Sequence, residues 1–370
     1  MSEVKLEEIV QISLGLTHTP KYQEQGVPFL SVKDISQGFI NFEKCSYITE
    51  EEYNSLPKGA KPQIGDMLFC RVGTLGKPVI IEKNTPLFGT FVSLGFFRNK
   101  NKDNLELKYL YYWMFSKSFF EQIRQNVKGA SQANLNTGWL SKFNLPLPPL
   151  EKQQEIAHEL DEISEIIALR KEQIKKLNLL VKAKFVEMFG DPVVNPMAWE
   201  EKNLDDVSKN LDNRRVPITS NDRKLGKYPY YGASGIIDYV NDYIFDERLL
   251  LISEDGANLL ARTTAIAFSV EEKCWINNHA HVLSFHATAT QTYCEYLFNK
   301  IDLTPFVTGS AQPKLNQSKL NEISFPLPPL PLQEQFALYV QSVEEAKKEM
   351  EEGLVKMEML FAERMQGYFG

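Results

Sequence analysis

The sequence contains one Pro-rich motif twice, and the two copies lie 180 residues apart. The first copy, Asn-Leu-Pro-Leu-Pro-Pro-Leu at residues 144–150, precedes a long helical pattern that ends at Phe189-Gly190. The second copy, Ser-Phe-Pro-Leu-Pro-Pro-Leu at residues 324–330, precedes another that ends at Phe369-Gly370. A repeat of this size indicates a duplicated domain rather than a solenoid. The sequence therefore predicts two copies of a unit that joins one globular domain to one long helix.

The repeats divide the chain into four predicted segments: a globular domain at 1–145, a helix at 146–190, a second domain at 191–325 and a second helix at 326–370. Both globular segments mix short strands, such as Leu-Leu-Leu-Ile at 249–252, with short apolar helices, such as 293–298. The predicted fold class is α+β, with two mixed α/β domains related by pseudo-twofold symmetry.

Both helical segments carry apolar residues at alternating spacings of three and four, which predicts a coiled coil. Pro149 and Pro329 lie where a proline is tolerated, at the start of each helix. The first helix leads to the second domain, and the second helix begins beside that domain. If the helices pair, they must therefore be antiparallel, with a domain at each end. About 35 residues at 1.5 Å each make a spacer of roughly 50 Å.

Several apolar residues on these helices fall outside the predicted coiled-coil stripe. Contact with the chain's own domains would cover them, and so would partner helices packed against the coiled coil. We favour partner helices, and the candidate partner-binding residues are Ile166, Leu180, Phe185, Met359 and Met365.

Few patterns in the sequence suggest chemistry. The four cysteines lie far apart and form no Cys-x-x-Cys pair, which disfavours a zinc site or a disulfide framework. His279 and His281 have no evident acidic third ligand nearby, so no metal site is predicted. No run of about 18 apolar residues and no signal pattern occurs, so we expect a cytoplasmic protein with no membrane contact. The chain is predicted to be non-catalytic and to bind no cofactor itself.

The net charge of −7 argues mildly against a nucleic-acid partner. However, residues 1–145 carry 17 Lys and Arg against 14 Asp and Glu, and five cations of the second domain lie between residues 214 and 227. A local basic face is sufficient for DNA binding. The cluster is either a solvated loop or, as we favour, a loop that contacts phosphates.

The sequence resembles the specificity subunits of type I restriction–modification enzymes. The resemblance rests on the two Pro-Leu-Pro-Pro-Leu motifs, each followed by a glutamine, Gln153 and Gln333. It also rests on Arg-Val-Pro-Ile at 215–218, on Tyr-Pro-Tyr-Tyr-Gly-Ala-Ser-Gly at 228–235, and on Leu-Ile-Ser-Glu-Asp-Gly at 251–256. Thr-His-Thr-Pro at 17–20 and Gly-Thr-Leu-Gly at 73–76 are similar to a second variety of target recognition domain.

The resemblance implies two target recognition domains that bind a bipartite, asymmetric sequence of double-stranded DNA. It also implies two adenine-N6 methyltransferase (M) subunits on the helices and ATP-driven restriction (R) subunits, with S-adenosylmethionine, ATP and Mg bound by those partners. Two other functions stay open: a coiled-coil adaptor for proteins, and a stand-alone DNA methyltransferase or nuclease.

Candidate DNA-binding cations are Lys21, Lys33, Arg71 and Lys77 in the first domain, and Arg214, Arg215, Arg223, Lys224 and Lys227 in the second. A duplicated Gly-x-x-Gln-x-x-Leu-Asn loop adds the candidates Gln132 and Asn136, and Gln312 and Asn316. These amides could recognise adenine edges or cap the helix that follows, and neither role is favoured.

Overall fold

A computed structural model of the chain describes residues 3–73, 75–126, 134–309 and 312–370. The chain forms two compact units: unit 1 comprises Met1–Lys171 with Gly353–Gly370, and unit 2 comprises Glu172–Glu352. Each unit contains one mixed α/β domain and a segment of both long helices. Within the described residues, no helix is both long enough and apolar enough to span a membrane.

The domain of unit 1 has a four-stranded antiparallel sheet in the order β2-β8-β5-β6 and a three-stranded sheet in the order β4-β3-β7. A third, two-stranded sheet pairs β1 with β9. The strands are β1 Glu3–Lys5, β2 Val10–Leu14, β3 Val27–Leu30, β4 Ser46–Ile48, β5 Met67–Cys70, β6 Gly76–Ile80, β7 Gly89–Thr90, β8 Leu94–Asn99 and β9 Asn144–Pro146. The helices are α1 Leu6–Ile9, α2 Val32–Ile35, α3 Glu50–Ser55, α4 Leu107–Trp113, α5 Lys117–Asn126 and α6 Thr137–Leu140.

The first long helix, α7, spans Leu150–Phe189, and the domain of unit 2 follows it. The strands of this domain are β10 Glu200–Asn203, β11 Ser208–Asn210, β12 Leu225–Gly232, β13 Gly235–Val240, β14 Leu249–Ser253, β15 Ala267–Val270, β16 Trp275–Ile276, β17 Ala280–Phe285 and β18 Ser324–Leu327. The helices are α8 Leu204–Val207, α9 Asn258–Ala261, α10 Thr288–Phe298, α11 Gln317–Asn321 and the second long helix, α12 Leu330–Phe369.

The two domains have the same strand topology. In unit 2 the four-stranded sheet has the order β11-β17-β14-β15, the three-stranded sheet has the order β13-β12-β16, and β10 pairs with β18. Each order matches that of unit 1 strand for strand, including the one parallel pair in each three-stranded sheet. The duplication predicted from the Pro-rich motifs is confirmed. The predicted boundaries of the four segments remain a prediction.

Both long helices begin at the last residue of the Pro-rich motif and end at the phenylalanine of the Phe-Gly pair, and each has 40 residues. Within unit 1, Glu159 contacts Arg364 at 2.9 Å, and Lys171, further along α7, contacts the earlier residue Glu358 at 2.8 Å. Within unit 2, the ring of Phe189 at the end of α7 lies 5.2 Å from that of Phe336 near the start of α12. The helix segments are therefore antiparallel in each unit, which confirms the predicted coiled coil.

Two of the candidate partner-binding residues are covered by the chain itself. Phe185 is exposed by 2% and Met365 by 8%. Phe185 stacks on Tyr293 of α10 at 5.4 Å, and Met365 belongs to the core of unit 1. The expectation that these two side chains need a partner to cover them was wrong, because helices of the domains pack against the same face of the coiled coil. Ile166, Leu180 and Met359 are exposed by 40%, 51% and 68%.

A buried glutamine attaches each long helix to its own domain. The Gln153 amide donates to the carbonyl oxygens of Pro148 at 2.8 Å and Asn104 at 3.0 Å, and its oxygen accepts from the Glu106 N–H at 2.9 Å. In unit 2 the Gln333 amide donates to Pro328 O at 2.6 Å and accepts from the Thr290 hydroxyl at 2.7 Å. These bonds supply donors to the buried carbonyls of Pro148 and Pro328, which lie in the two Pro-rich motifs.

A tyrosine makes a second repeated attachment to the Pro-rich motif. The hydroxyl of Tyr109 in α4 donates to Pro146 O at 2.7 Å, and the hydroxyl of Tyr293 in α10 donates to Pro326 O. Pro146 and Pro326 also lie in the strand pairs that join the beginning and the end of each domain. The Pro-rich motif is thus the connection between sheet, helix and domain in each unit.

We predict that Gln153→Leu destabilises unit 1, because the substitution removes the three hydrogen bonds of this amide and leaves the buried carbonyl of Pro148 without its donor. The expected loss is about 2–4 kcal/mol of unfolding free energy. The neighbouring Gln154 is exposed, so Gln154→Leu is the matched control, with an expected change below about 0.5 kcal/mol. Urea unfolding of both variants measures the difference. Equal midpoints for Gln153→Leu and the unsubstituted chain would contradict the role of this amide.

Candidate nucleic-acid interface

The five candidate cations of unit 2 lie in and after the short 3-10 helix Asp212–Arg214 and continue into β12. Lys224 and Lys227 are exposed and make no ion pair among the described residues, and the Lys227 ammonium lies over the ring of Tyr228 at 5.2 Å. Arg214 is half exposed, pairs with Glu247 at 2.7 Å and lies over the ring of Phe245. Arg223 pairs with Asp238 at 3.2 Å and lies over the ring of Tyr230. The two lysines are therefore the cations of this loop most available to a phosphate.

Arg215 is largely buried, and its guanidinium is engaged in an ion-pair network. Its guanidinium lies 2.6 Å from Glu254 and 3.4 Å from Asp212, and it donates to Ala280 O at 2.8 Å. Lys314 reaches the other side of the Glu254 carboxylate at 3.1 Å. Arg215 thus stabilises the base of the basic loop, a position from which it cannot reach DNA without breaking these bonds.

His281 completes this network. Its Nδ1 lies 2.6 Å from the Asp212 carboxylate, and its Nε2 lies 2.7 Å from Leu315 O. His279, two residues earlier, pairs with a different carboxylate, Asp255, at 2.8 Å. The expectation that no acidic residue lies near these histidines was wrong. Asp212 and Asp255 are 69 and 24 positions from their histidines, and only the strand pairing brings them together.

The network holds its two buried carboxylates in the charged form. Burial alone would raise the pKa of Asp212, but the hydrogen bond and charge of His281, the Val282 N–H and the charge of Arg215 together place that pKa below its ordinary value. Burial likewise opposes the charge of Glu254, and the bonds from Arg215 and Lys314 with the charge of His281 lower its pKa.

Asp212, Glu254 and His281 offer ligand atoms within 4.8 Å of one another, a separation that a metal ion could bridge. The arrangement of their neighbours favours ion pairs instead. Arg215 and Lys314 already contact Glu254, and both nitrogens of His281 face hydrogen-bond acceptors. A metal ion would have to displace these cations from Glu254 and break the hydrogen bonds of the imidazole.

The four candidate cations of unit 1 also differ in exposure and in hydrogen-bond partners. Lys21 and Lys33 are exposed. The Lys77 ammonium donates to Ser36 O at 3.0 Å. Arg71 is half buried and donates to Leu135 O at 2.9 Å and to Val92 O at 3.0 Å, and no acidic residue among the described ones pairs with it. Burial lowers the pKa of its guanidinium without removing the charge.

The duplicated amide loop uses its asparagines as helix caps. Asn136 Oδ1 accepts from the Gly138 N–H at 2.7 Å, and Asn316 Oδ1 accepts from the Lys319 N–H at 3.0 Å. Of the two roles considered for the amides of this loop, the structure shows capping for the two asparagines. Gln312, the glutamine of the loop in unit 2, is exposed. Gln132 lies outside the described residues.

Sequence reasoning missed several side chains of this surface. Ile236, Ile237 and Tyr239 are exposed on β13, which pairs with the strand that carries Lys227. Lys314 is also exposed and follows Gln312 in the amide loop. The alternation of exposed and covered residues along β13 is too irregular to have indicated this surface from the sequence, because β12 and β13 pair with two register shifts.

Comparison with known proteins identifies the family. The chain matches the model of the type I restriction modification DNA specificity domain at residues 1–179 and again at 196–356. It is 37% identical over 134 residues to a putative type I restriction enzyme specificity subunit of Haemophilus influenzae, a match that covers 36% of this chain and 34% of that relative. It is 25% identical to the type I restriction enzyme MjaIX specificity subunit of Methanocaldococcus jannaschii, across 91% of this chain and 85% of the relative.

The fold has a counterpart among solved structures. The crystal structure of the type I restriction–modification S subunit from M. genitalium aligns with a TM-score of 0.64 at 15% identity, and the alignment covers 100% of this chain and 96% of that one. The family model accounts for both domains and for most of both long helices. The chain therefore belongs to the family of type I restriction–modification specificity subunits.

Proposed function

We propose that this chain is the non-catalytic DNA-recognition subunit of a type I restriction–modification enzyme and that it binds a bipartite, asymmetric DNA sequence. The observation that carries the proposal is the double match of the family's DNA specificity domain, once in each of two units with the same strand topology. The side chains at equivalent places in the two units differ. Two domains with the same strand topology but different surface side chains suit two half-sites of different sequence.

In this proposal the exposed lysines contact the DNA backbone. Lys224 and Lys227 in unit 2, with Lys21 and Lys33 in unit 1, are exposed at the surface, and the Lys227 ammonium also lies over the ring of Tyr228 at 5.2 Å. Arg and Lys contacts to phosphates position a protein on DNA, whereas contacts in the grooves select the bases. The exposed side chains of β13 and the amide loops are the candidates for base contacts. Arg215 supports the loop from inside the domain.

The chemistry then belongs to partner subunits. We propose that two methyltransferase subunits bind the exposed apolar residues of the long helices and that restriction subunits join them. S-adenosylmethionine, ATP and Mg would be bound by those partners. Ile166 and Leu180 on α7 and Met359 on α12 support this proposal, because apolar side chains on a helix face need a covering surface.

An adaptor without DNA binding and a stand-alone methyltransferase or nuclease make different predictions. An adaptor would show no sequence-dependent shift of DNA in an electrophoretic assay with the partner subunits present. A stand-alone methyltransferase would bind S-adenosylmethionine as the isolated chain, which calorimetry measures directly.

The modular prediction concerns residues 1–145. Replacing them with the first domain of another family member should change one half of the methylated sequence and leave the other half and the gap unchanged. Single-molecule sequencing of adenine methylation in the host reports both halves at once. A change in both halves would show that the two domains do not recognise DNA independently.

The lysine prediction concerns the strength of DNA binding. Lys224→Gln with Lys227→Gln should weaken binding of all sequences alike and should reduce the slope of log K against log salt by about 2, one for each lost phosphate contact. Lys209→Gln is the matched control, since Lys209 is an exposed lysine of the same unit outside the loop. An unaltered salt slope in the double variant would show that these two lysines do not contact DNA phosphates.

The partner prediction concerns the exposed helix residues. Ile166→Lys with Leu180→Lys should reduce co-purification of the methyltransferase subunits at least tenfold, because two charges would replace apolar contacts. Gln173→Lys, an exposed polar residue of the same helix, should leave co-purification unchanged. Circular dichroism checks that the variants stay folded. Normal assembly of the double variant would place the partner elsewhere.

A further inference from the structure

Arg71 differs from the other arginines of the two domains in what its guanidinium contacts. Among the described residues, most of the others pair with a carboxylate, namely Arg98, Arg124, Arg214, Arg215, Arg223 and Arg248. Arg262 pairs with none, but its Nε, Nη1 and Nη2 each donate to a backbone carbonyl. Arg71 is the one described arginine of the domains that has no carboxylate partner and also keeps a nitrogen, Nη2, without a partner among the described residues.

Two carbonyl oxygens hold the Arg71 guanidinium in a fixed orientation. Its Nε donates to Leu135 O at 2.9 Å, and its Nη1 donates to Val92 O at 3.0 Å. Backbone bonds hold both acceptor residues, since the Leu135 N–H donates to Arg71 O at 2.9 Å and the Val92 N–H donates to Leu16 O at 2.9 Å. A guanidinium carries five N–H groups, so three of them remain for a ligand.

No acidic residue lies in the segments that meet at Arg71. The bonds of Arg71 and Val92 join residues 15–17, 70–73, 90–95 and 134–136, and none of these segments contains Asp or Glu. The residues outside the described ranges contain none either. Thr17 and Asn134 in these segments are exposed, so the guanidinium lies at the surface of the domain. A partly buried charge without a counter-ion is costly to keep, which points to a ligand that binds it.

Unit 2 neutralises the equivalent place with its own residues. The leucine of the amide loop donates its N–H to Arg71 O in unit 1 and to Glu254 O in unit 2, at 2.9 Å and 2.7 Å. Arg71 and Glu254 are therefore equivalent. Two cations, Arg215 at 2.6 Å and Lys314 at 3.1 Å, bind the Glu254 carboxylate. Unit 2 thus has an internal ion pair where unit 1 has an unpaired cation.

DNA offers two kinds of acceptor to this guanidinium, the phosphate oxygens and the O6 and N7 atoms of guanine. A lysine suits phosphates, because an ammonium on a flexible stem needs no fixed geometry, and Lys21 and Lys33 of the same unit are exposed. A guanidinium fixed by two carbonyls suits the planar edge of guanine, which arginine binds with two parallel N–H groups. The fixed orientation of Arg71 therefore favours guanine.

We infer that Arg71 selects a guanine in the half-site bound by unit 1 and that unit 2 has no counterpart of this contact. The inference rests on the proposed function and names one residue that determines its specificity. The two half-sites then differ in the way they are recognised as well as in their sequence.

The first test concerns the methylated sequence. The half-site that changes when residues 1–145 are exchanged should contain a G·C pair, and Arg71→Gln should reduce the selection of that pair at least about tenfold. The other half-site and the gap should stay unchanged. Sequencing of adenine methylation in the host measures all three. A half-site of unit 1 without a G·C pair, or full selection in the variant, would overturn the inference.

A combined change of protein and DNA separates a direct contact from a structural effect of the substitution. Replacing guanine by 7-deazaguanine removes only the N7 acceptor. At one guanine of the half-site, this replacement should weaken binding by the unsubstituted assembly about fivefold or more and should not weaken binding by the Arg71→Gln assembly. Electrophoretic binding with the partner subunits present measures both. If the two changes weaken binding independently, Arg71 does not contact that guanine.

The salt dependence of binding distinguishes guanine from phosphate. Loss of a phosphate contact reduces the slope of log K against log salt by about 1. We expect Arg71→Gln to leave the slope nearly constant, and a reduction of about 1 would overturn the inference in favour of a phosphate contact.

Arg262→Gln is the matched control, because carbonyls also hold Arg262 but leave none of its nitrogens unengaged. It should leave the methylated sequence unchanged. The same relaxed selection in both variants would assign the effect to lost stability and overturn the inference.

A second variant and a second outcome keep the test decisive. If Arg71→Gln does not assemble, Arg71→Lys replaces it, because lysine keeps the charge but not the fixed planar group. The effect of 7-deazaguanine should then also disappear. An assembly that methylates no bipartite sequence contradicts the proposed function, whereas a bipartite sequence that Arg71 does not affect contradicts only this inference.

Discussion

The buried glutamine at the base of each long helix is the interaction on which the rest of the structure depends. A Pro-rich segment has few N–H groups with which to join a sheet, and its carbonyls still need donors when they are buried. Gln153 and Gln333 supply those donors from the first turn of α7 and α12. Because each amide is also bonded to the residues at the start of α4 or α10, the helix cannot change direction without breaking buried bonds in its domain.

The other end of each helix is held by aromatic packing. Phe185 and Phe189 of α7 pack against Tyr293 in unit 2, and Phe369 of α12 packs on Tyr109 at 5.0 Å in unit 1. The tyrosine that bonds the Pro-rich motif of its unit therefore also receives the end of the other helix. Each domain thus has one helix that leaves it and one that returns to it, and both contacts involve the same short helix, α4 or α10.

The contacts that the two units share leave the side chains on the remaining surface free to differ. The strand topology, the glutamine, the tyrosine and the asparagine caps are the same in both units. The residues at other corresponding places differ: the register of the central strands places Arg71 of unit 1 where unit 2 has Glu254, and Gly95 where unit 2 has His281. Such a division suits a protein that recognises two different sequences with two domains of one kind. In the proposed function, differences in side chains at the loops would change which sequence is bound, while the repeated contacts keep each domain attached to its helix.

The sequence predicted the repeated parts of the structure well. The Pro-rich motif, the heptad pattern and the Leu-Asn loops depend on neighbouring residues, so the two long helices followed from local rules. The antiparallel pairing followed from the order of domains and helices along the chain. The roles of Arg215, His281 and Phe185 did not, because their partners Glu254, Asp212 and Tyr293 are distant in sequence and adjacent only after the sheets and helices pack. A cluster of arginines therefore suggested DNA contact where one of them instead fills a buried ion-pair network.

The measurement that tests the central claim most directly is the adenine methylation pattern of a host that expresses this chain with its partner subunits, compared with the same host lacking the chain. Two domains of one topology with different surfaces predict a methylated sequence of two unlike half-sites joined by an unrecognised gap of constant length. A continuous or palindromic methylated sequence, or no change on removal of the chain, would contradict the account.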